Sequence, residues 1–175
     1  HRDKLSTYFA GFRKIPVTSV VRDDRAGYGH TIFQNSVVID RTNQNTGSGI
    51  LDIFEATSSY KFQLIDVSAN TIYSGIDEYE RILVMIKDEY IFDLFTIRDS
   101  SSHIYDWVQH RLDAITLGGT GSSCSDTAGN SNGYEQLTQV QCFTTSGSTI
   151  TSESHSSTNG GIKTFIIQQS GDKVL

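Results

Sequence analysis

At 175 residues, the chain is long enough for one domain with a core of its own. Its 37% hydrophobic content, 15 glycines and single proline suit many short strands joined by turns, and it holds no apolar run of the length that a transmembrane helix requires. The net charge of −6 is uneven: residues 1–25 carry six Lys and Arg against three Asp, a net of +3, which leaves −9 for the rest. With no finger, helix-turn-helix or broad basic surface, nucleic acid is not the expected partner, while a local basic patch fits either an anionic ligand or an ordinary solvated surface.

Taken in order, residues 1–25 contain Tyr8-Phe9-Ala10-Gly11-Phe12, Ile15-Pro16-Val17 and Val20-Val21, strand-like pieces broken by Gly11 and Pro16. Arg22 to Gly29 reads as a loop, Val37 to Ile39 as a short buried strand, and Asp40 to Gly49 as a turn region. Strands are predicted at Ile50 to Ala56, Tyr60 to Val67 and Thr71 to Ile76. Ile82 to Ile86 leaves no polar face, which predicts a strand covered on both sides. Lys87-Asp88-Glu89 suits a hairpin turn into Tyr90 to Ile97, and a third strand is expected over His103 to His110. Residues 118–133 read as a long small-residue loop, Tyr134 to Thr144 as a strand, Thr145 to Gly161 as a Ser/Thr-rich hairpin tip, and Ile162 to Gln168 as a last strand. No helix longer than two turns is expected. The pattern is that of an all-β protein, an antiparallel β-sandwich forming a single domain over 1–175.

The chemistry is sparse. His1, His30, His103, His110 and His155 stand in no standard metal spacing, and neither a phosphate loop nor a nucleophile elbow is present. On a strand, His110 and Asp106 share a face, so His110 could donate a ring N–H to Asp106 or be a structural histidine at the rim. Asp93 lies inside an apolar run and needs a partner, either backbone or an arginine such as Arg81. Cys124 and Cys142 are the only cysteines; they read as a loop-closing disulfide of an oxidising compartment, or as two free thiols. Tyr8, Phe9, Tyr28, Tyr60, Tyr73 and Trp107 suit a sugar platform, although core packing is the commoner use of such residues.

The succession HRDKLS, DDRAGYGH, QNSVVID, YSGIDEYERILVMIKDEYIFDLFTIRDSSSHIYDW and GYEQLTQV resembles the β-sandwich domain of the heparinase II/III-like polysaccharide lyases, a group that includes heparinases and oligoalginate lyases. The family pattern reads loosely H-x-D-K-L, an Asp-containing loop, HN-T-V-V-V-D, Y-x-G-V, R-x-L-L-V, Y-x-x-D-x-F, H-x-Y-D-W and GY. The matches run from His1 to about Gly171. Each is weak alone; their common order is the specific signal.

The resemblance implies the sandwich part of a two-domain lyase whose other part, an N-terminal α-toroid, carries most of the catalytic residues. With His1 in place of an initiator Met, the chain is expected to be a processed or excised piece. The reaction implied is β-elimination on a uronic-acid polymer such as a glycosaminoglycan or alginate. His1, which matches the His of H-x-D-K-L, and His30, which lies near in sequence, are the candidate catalytic residues of the sandwich side. Arg2, Lys4, Arg25 and Tyr28 are candidates to bind an anionic polysaccharide. His1, and either Asp23 or Asp24, match a zinc set whose third member, a histidine in the family, is Gln34 here; His30 is near enough to replace it. Because an amide is a poor zinc ligand beside imidazole or thiolate, weak or no zinc is expected, and no other cofactor. The partners expected are an anionic polysaccharide and a toroid domain, with no membrane and no nucleic acid. The expected location is secreted or periplasmic. A non-catalytic sandwich that binds glycan or packs against a partner is the alternative.

Overall fold

The computed structural model describes residues 30–56, 62–86, 90–110, 114–119, 121–126, 128–156, 160–167 and 173–174. The chain is all-β and antiparallel throughout, consistent with a sandwich-like fold, as its strand pattern predicts. Among the described residues helical structure is limited to two three-residue 3-10 turns, Thr31–Phe33 and Tyr134–Gln136, and no helix is long and apolar enough to cross a membrane. Among the described residues, contacts divide the chain into two compact units, one made of those within 36–107 and the other of those within 30–35 and 108–174.

In the first unit, β1 (Val37–Ile39) has all three residues buried. A four-stranded sheet follows, in the order β2 (Ile50–Ala56), β3 (Phe62–Ser68), β4 (Glu78–Ile86) and β5 (Tyr90–Arg98). The longest ladder is the β4–β5 hairpin, paired without a break from Glu78↔Arg98 to Ile86↔Tyr90. A bulge between Leu51 and Ile53 interrupts β2 against β3. Strand β6 (Tyr105–Trp107) pairs with β1, so that Val37 faces Trp107 and Ile39 faces Tyr105. The apolar core gathers Val37, Ile39, Ala69, Ile72, Tyr73, Ile76 and Tyr79, with Phe95, Ile97 and Trp107 packed against it.

Tyr79, fully buried, ties this core together. Its hydroxyl donates to the Val37 carbonyl at 2.6 Å and accepts from Gln44 Nε2 at 3.3 Å. With its proton committed to Val37, it also accepts from Ser36 Oγ at 3.1 Å. Burial holds the Tyr79 phenol above its ordinary value, while the bonds from Ser36, to Val37 and from Gln44 pull the other way. The Tyr73 and Phe95 rings flank it at 5.7 Å and 5.9 Å.

The second unit holds two three-stranded sheets. In one, β10 (Thr149–Ser156) lies between β7 (Ile115–Gly118) and β11 (Gly160–Ile167). In the other, β9 (Cys142–Thr145) lies between β8 (Gly121–Cys124) and β12 (Lys173–Val174). Cys124 and Cys142 stand directly opposite in the β8–β9 ladder, Cα atoms 5.0 Å apart, and form the disulfide.

Several elements differ from the sequence expectation. Thr71 to Ile76 is a turn whose Ile72, Tyr73 and Ile76 are buried; apolar residues of a core-filling loop imitate a strand. The strand expected over His103 to His110 is confined to Tyr105–Trp107, because only that stretch meets β1. Residues 118–133 contain β8, where Ser and Gly are accommodated by pairing with β9. Tyr134 opens a 3-10 turn, and the strand after it starts only at Cys142. Within the Ser/Thr-rich stretch expected to be a hairpin tip, Thr149–Ser156 forms strand β10, with Ile150 and Ser152 buried. Ile82 to Ile86 is half-buried rather than covered on both sides, and in the strands around it Phe54, Tyr90, Phe92 and Leu94 are exposed.

Candidate functional site

Of the residues expected to form a site, His1, Arg2, Lys4, Asp23, Asp24, Arg25 and Tyr28 lie outside the described residues. His30 and Gln34 are described, and they bracket the first 3-10 turn. His30 is extended (φ −93°, ψ 146°) just before it, and Gln34 closes it by donating its N–H to the Thr31 carbonyl at 2.9 Å.

This turn is held by residues from far along the chain. Asn35, buried, accepts the His110 backbone N–H on Oδ1 at 2.6 Å. The His110 ring donates from Nε2 to the Ile32 carbonyl at 2.7 Å, and stacks on Phe33 with centroids 6.3 Å apart. A carbonyl only accepts, so the proton sits on Nε2 and Nδ1 carries the lone pair. Burial lowers the His110 pKa, with the Ile32 bond opposing, so the ring is neutral near pH 7. The His110 ring thus donates to Ile32, and Asp106 pairs with Arg41 at 3.4 Å.

Gly133 completes the arrangement. At φ +93° it occupies the left-handed region, and a Cβ there would lie 2.7 Å from Ile32 Cγ2 and 2.8 Å from His30 Cβ. The GYEQLTQV motif therefore packs against the last residue of DDRAGYGH, a meeting that spacing in the sequence could not reveal. His30, Asn35, His110 and Gly133 form one locus, with a neutral imidazole, a buried amide and a glycine that permits close approach.

A second polar locus lies in the first unit. Beyond β1, the Ile39 to Thr42 turn is closed by the Thr42 N–H on the Ile39 carbonyl at 3.0 Å, with both central residues left-handed (Asp40 φ 50°, Arg41 φ 55°). Neither is glycine, so the turn carries some backbone strain. Asp40 is anchored opposite Ile104, accepting its N–H on Oδ1 at 2.9 Å and donating its own N–H to the Ile104 carbonyl at 2.8 Å. Asp40 Oδ2 meets His103 Nδ1 at 2.5 Å, while Asp99 Oδ2 meets His103 Nε2 from the other side. Asp40 and His103, with Thr42, Asn45, Tyr73 and Ile76, help line a recess of mixed polar and apolar walls and about 220 Å³.

The charges of this locus agree with its geometry. Asp40 is held below the usual carboxylate value by the Ile104 N–H and then by His103. At Asp99 burial pushes upward, but His103 and the Ser101 and Ser100 amides outweigh it and the pKa is lowered. His103 is raised by its bonds to Asp40 and Asp99, against a smaller opposing effect of burial.

Other sequence candidates resolve as structure. Asp93 is paired with Arg81, Nε to Oδ1 at 2.8 Å and Nη2 to Oδ2 at 2.5 Å, and the guanidinium also lies 4.4 Å from the Phe95 ring centre. Tyr73 is buried and Trp107 packs on the core, so neither offers a sugar platform. No group of three or more His, Cys, Asp or Glu side chains suited to a metal occurs among the described residues. No protein-family model matches the chain, and no curated protein matches it.

Proposed function

We propose that the chain is the β-sandwich part of a polysaccharide lyase that cleaves a uronic-acid polymer by β-elimination. The observation that carries this reading is the common order of its motifs along nearly the whole chain. Two pairs of those motifs also meet in the fold, QNSVVID with SHIYDW along the β1–β6 ladder, and GYEQLTQV with His30.

In this reaction the uronate carboxylate is neutralised, which acidifies the proton on the adjacent ring carbon. A base removes that proton, the bond from the neighbouring carbon to the glycosidic oxygen breaks, and an acid protonates the departing oxygen. The electron pair of the lost C–H bond becomes the new ring double bond. His1 and His30 are the acid–base candidates of the sandwich side, and such proton transfers contribute about 10²–10⁴-fold. Arg2, Lys4 and Arg25 are the cations to face the carboxylate charge, and Tyr28 the sugar contact. The His110, Asn35 and Gly133 locus fixes the backbone on which His30 stands. The remaining catalytic groups belong to an α-toroid, in the same precursor or in another chain. The disulfide supports a secreted or periplasmic location.

A second reading, a non-catalytic sandwich that binds glycan or a partner, is favoured by the exposed Phe54, Phe62, Tyr90 and Phe92 in the β2 to β5 sheet. Ultraviolet absorbance of an unsaturated uronate separates the two readings, measured with alginate, heparin, chondroitin and hyaluronan. The lyase reading expects silence from the 175-residue chain and activity once a toroid is joined to it. Silence of the toroid-bearing protein on all four polymers removes it.

A further inference from the structure

We propose that Asp40, His103 and Asp99 form a proton-dependent clasp, which holds the Ile39 to Thr42 turn to the β5–β6 connection while His103 carries two protons and releases it when one is lost. The argument begins with donor count. Both ring nitrogens of His103 meet carboxylate oxygens, Asp40 from the end of β1 and Asp99 from the end of β5. A carboxylate only accepts, so both nitrogens must donate, and only the imidazolium can. A neutral ring would turn one lone pair toward a carboxylate oxygen, replacing a charge-assisted bond by repulsion.

The clasp closes a long loop. His103 and Asp40 are 63 residues apart, and the Asp40 carboxylate also takes the Ile104 N–H. The turn it holds has two non-glycine residues at positive φ, a conformation maintained only while its surroundings hold it. The ring is 18% exposed, so protons reach it from solvent without unfolding. The groups facing His103 are Asp40, Asp99 and the Tyr105 ring, whose centroid is 6.2 Å away. The neighbouring charges are engaged with each other: Arg41 with Asp106, and Arg98 with Glu78. Asp40 and His103 both line the recess beside the turn, so release changes the wall of that recess.

The pH window follows from the directions of the shifts. His103 is raised, so its contribution is complete below the ordinary imidazole value near 6.5 and is lost as pH rises through the folded value. Asp40 and Asp99 are lowered, so theirs is complete above the ordinary value of 3.8 and is lost as pH falls through the folded values. The clasp is closed in mild acid and opens toward alkaline pH.

The test is histidine-ring NMR on the full chain, with amide exchange at Ile104 and Thr42 corrected for intrinsic rate. We expect His103 to titrate above 6.5, and protection at Ile104 to fall about tenfold or more as that proton leaves. H103Q should show at pH 5.5 the low protection that the parent chain shows in alkali, with no further pH dependence. Should H103Q not fold, D99N serves instead: the His103 pKa should drop toward its ordinary value. A His103 pKa at or below 6.5, or Ile104 protection independent of pH in the parent chain, overturns the proposal.

Discussion

Tyr79 gathers several parts of the first unit on one side chain: its ring lies between Tyr73 and Phe95, and its hydroxyl serves Val37, Ser36 and Gln44. Tyr79→Phe keeps the ring but leaves the Val37 carbonyl and its neighbours short of a partner, and should cost about 1–3 kcal/mol, read as a lower denaturant midpoint at unchanged slope. Arg81, whose side chain is 4% exposed, depends on Asp93 in the same way. Asp93→Asn should destabilise by about 3 kcal/mol, less to the extent that solvent screens the partly exposed carboxylate, whereas replacing both residues by apolar ones should cost much less. A double-mutant cycle in urea reads the difference. The Arg81–Asp93 pair was legible beforehand, because a carboxylate inside an apolar run demands a partner and a nearby arginine is the economical choice. The partners of His103 were not. Asp40 reaches it only through the register of β1 on β6, which no local pattern encodes.

At the scale of elements, the β4–β5 hairpin and the strands β1 and β2 stand out in the sequence because their residues are apolar, branched and bounded by polar turns. Strand β10 does not, since Thr, Ser and Glu supply no apolar stripe. It becomes a strand because it has a pairing neighbour on each side, and only Ile150 and Ser152 among its first residues go inside. The turn from Thr71 to Ile76 misleads in the opposite sense, its apolar residues filling the core without forming a ladder. The disulfide belongs to this scale too, because it staples β8 to β9 across 18 residues. Reduction, or Cys124→Ser with Cys142→Ser, should cost roughly 3 kcal/mol if the loop entropy of the unfolded chain governs, read by thermal unfolding with and without reductant.

For the molecule as a whole, an all-β antiparallel chain was the reading that strand spacing supported most firmly, and the fold agrees with it. Function was less legible, for a physical reason. Among the described residues with shifted pKa values, Tyr79, Asp40, Asp99 and both ring nitrogens of His103 are engaged within the fold, as is Nε2 of His110, in the manner of supporting residues. The residues proposed to meet a polymer are instead Arg2, Lys4 and Arg25, together with His1, Tyr28 and His30. That division of labour, with the described strands as scaffold and the basic beginning as the polymer-facing part, is tested most directly by affinity electrophoresis through alginate or heparin at low salt. The parent chain is compared with the triple variant Arg2→Gln, Lys4→Gln, Arg25→Gln. The account predicts retardation of the parent that salt abolishes, and its loss in the variant with an unfolding midpoint within about 2 °C of the parent's. Equal retardation of the two chains, or none for the parent, would contradict it.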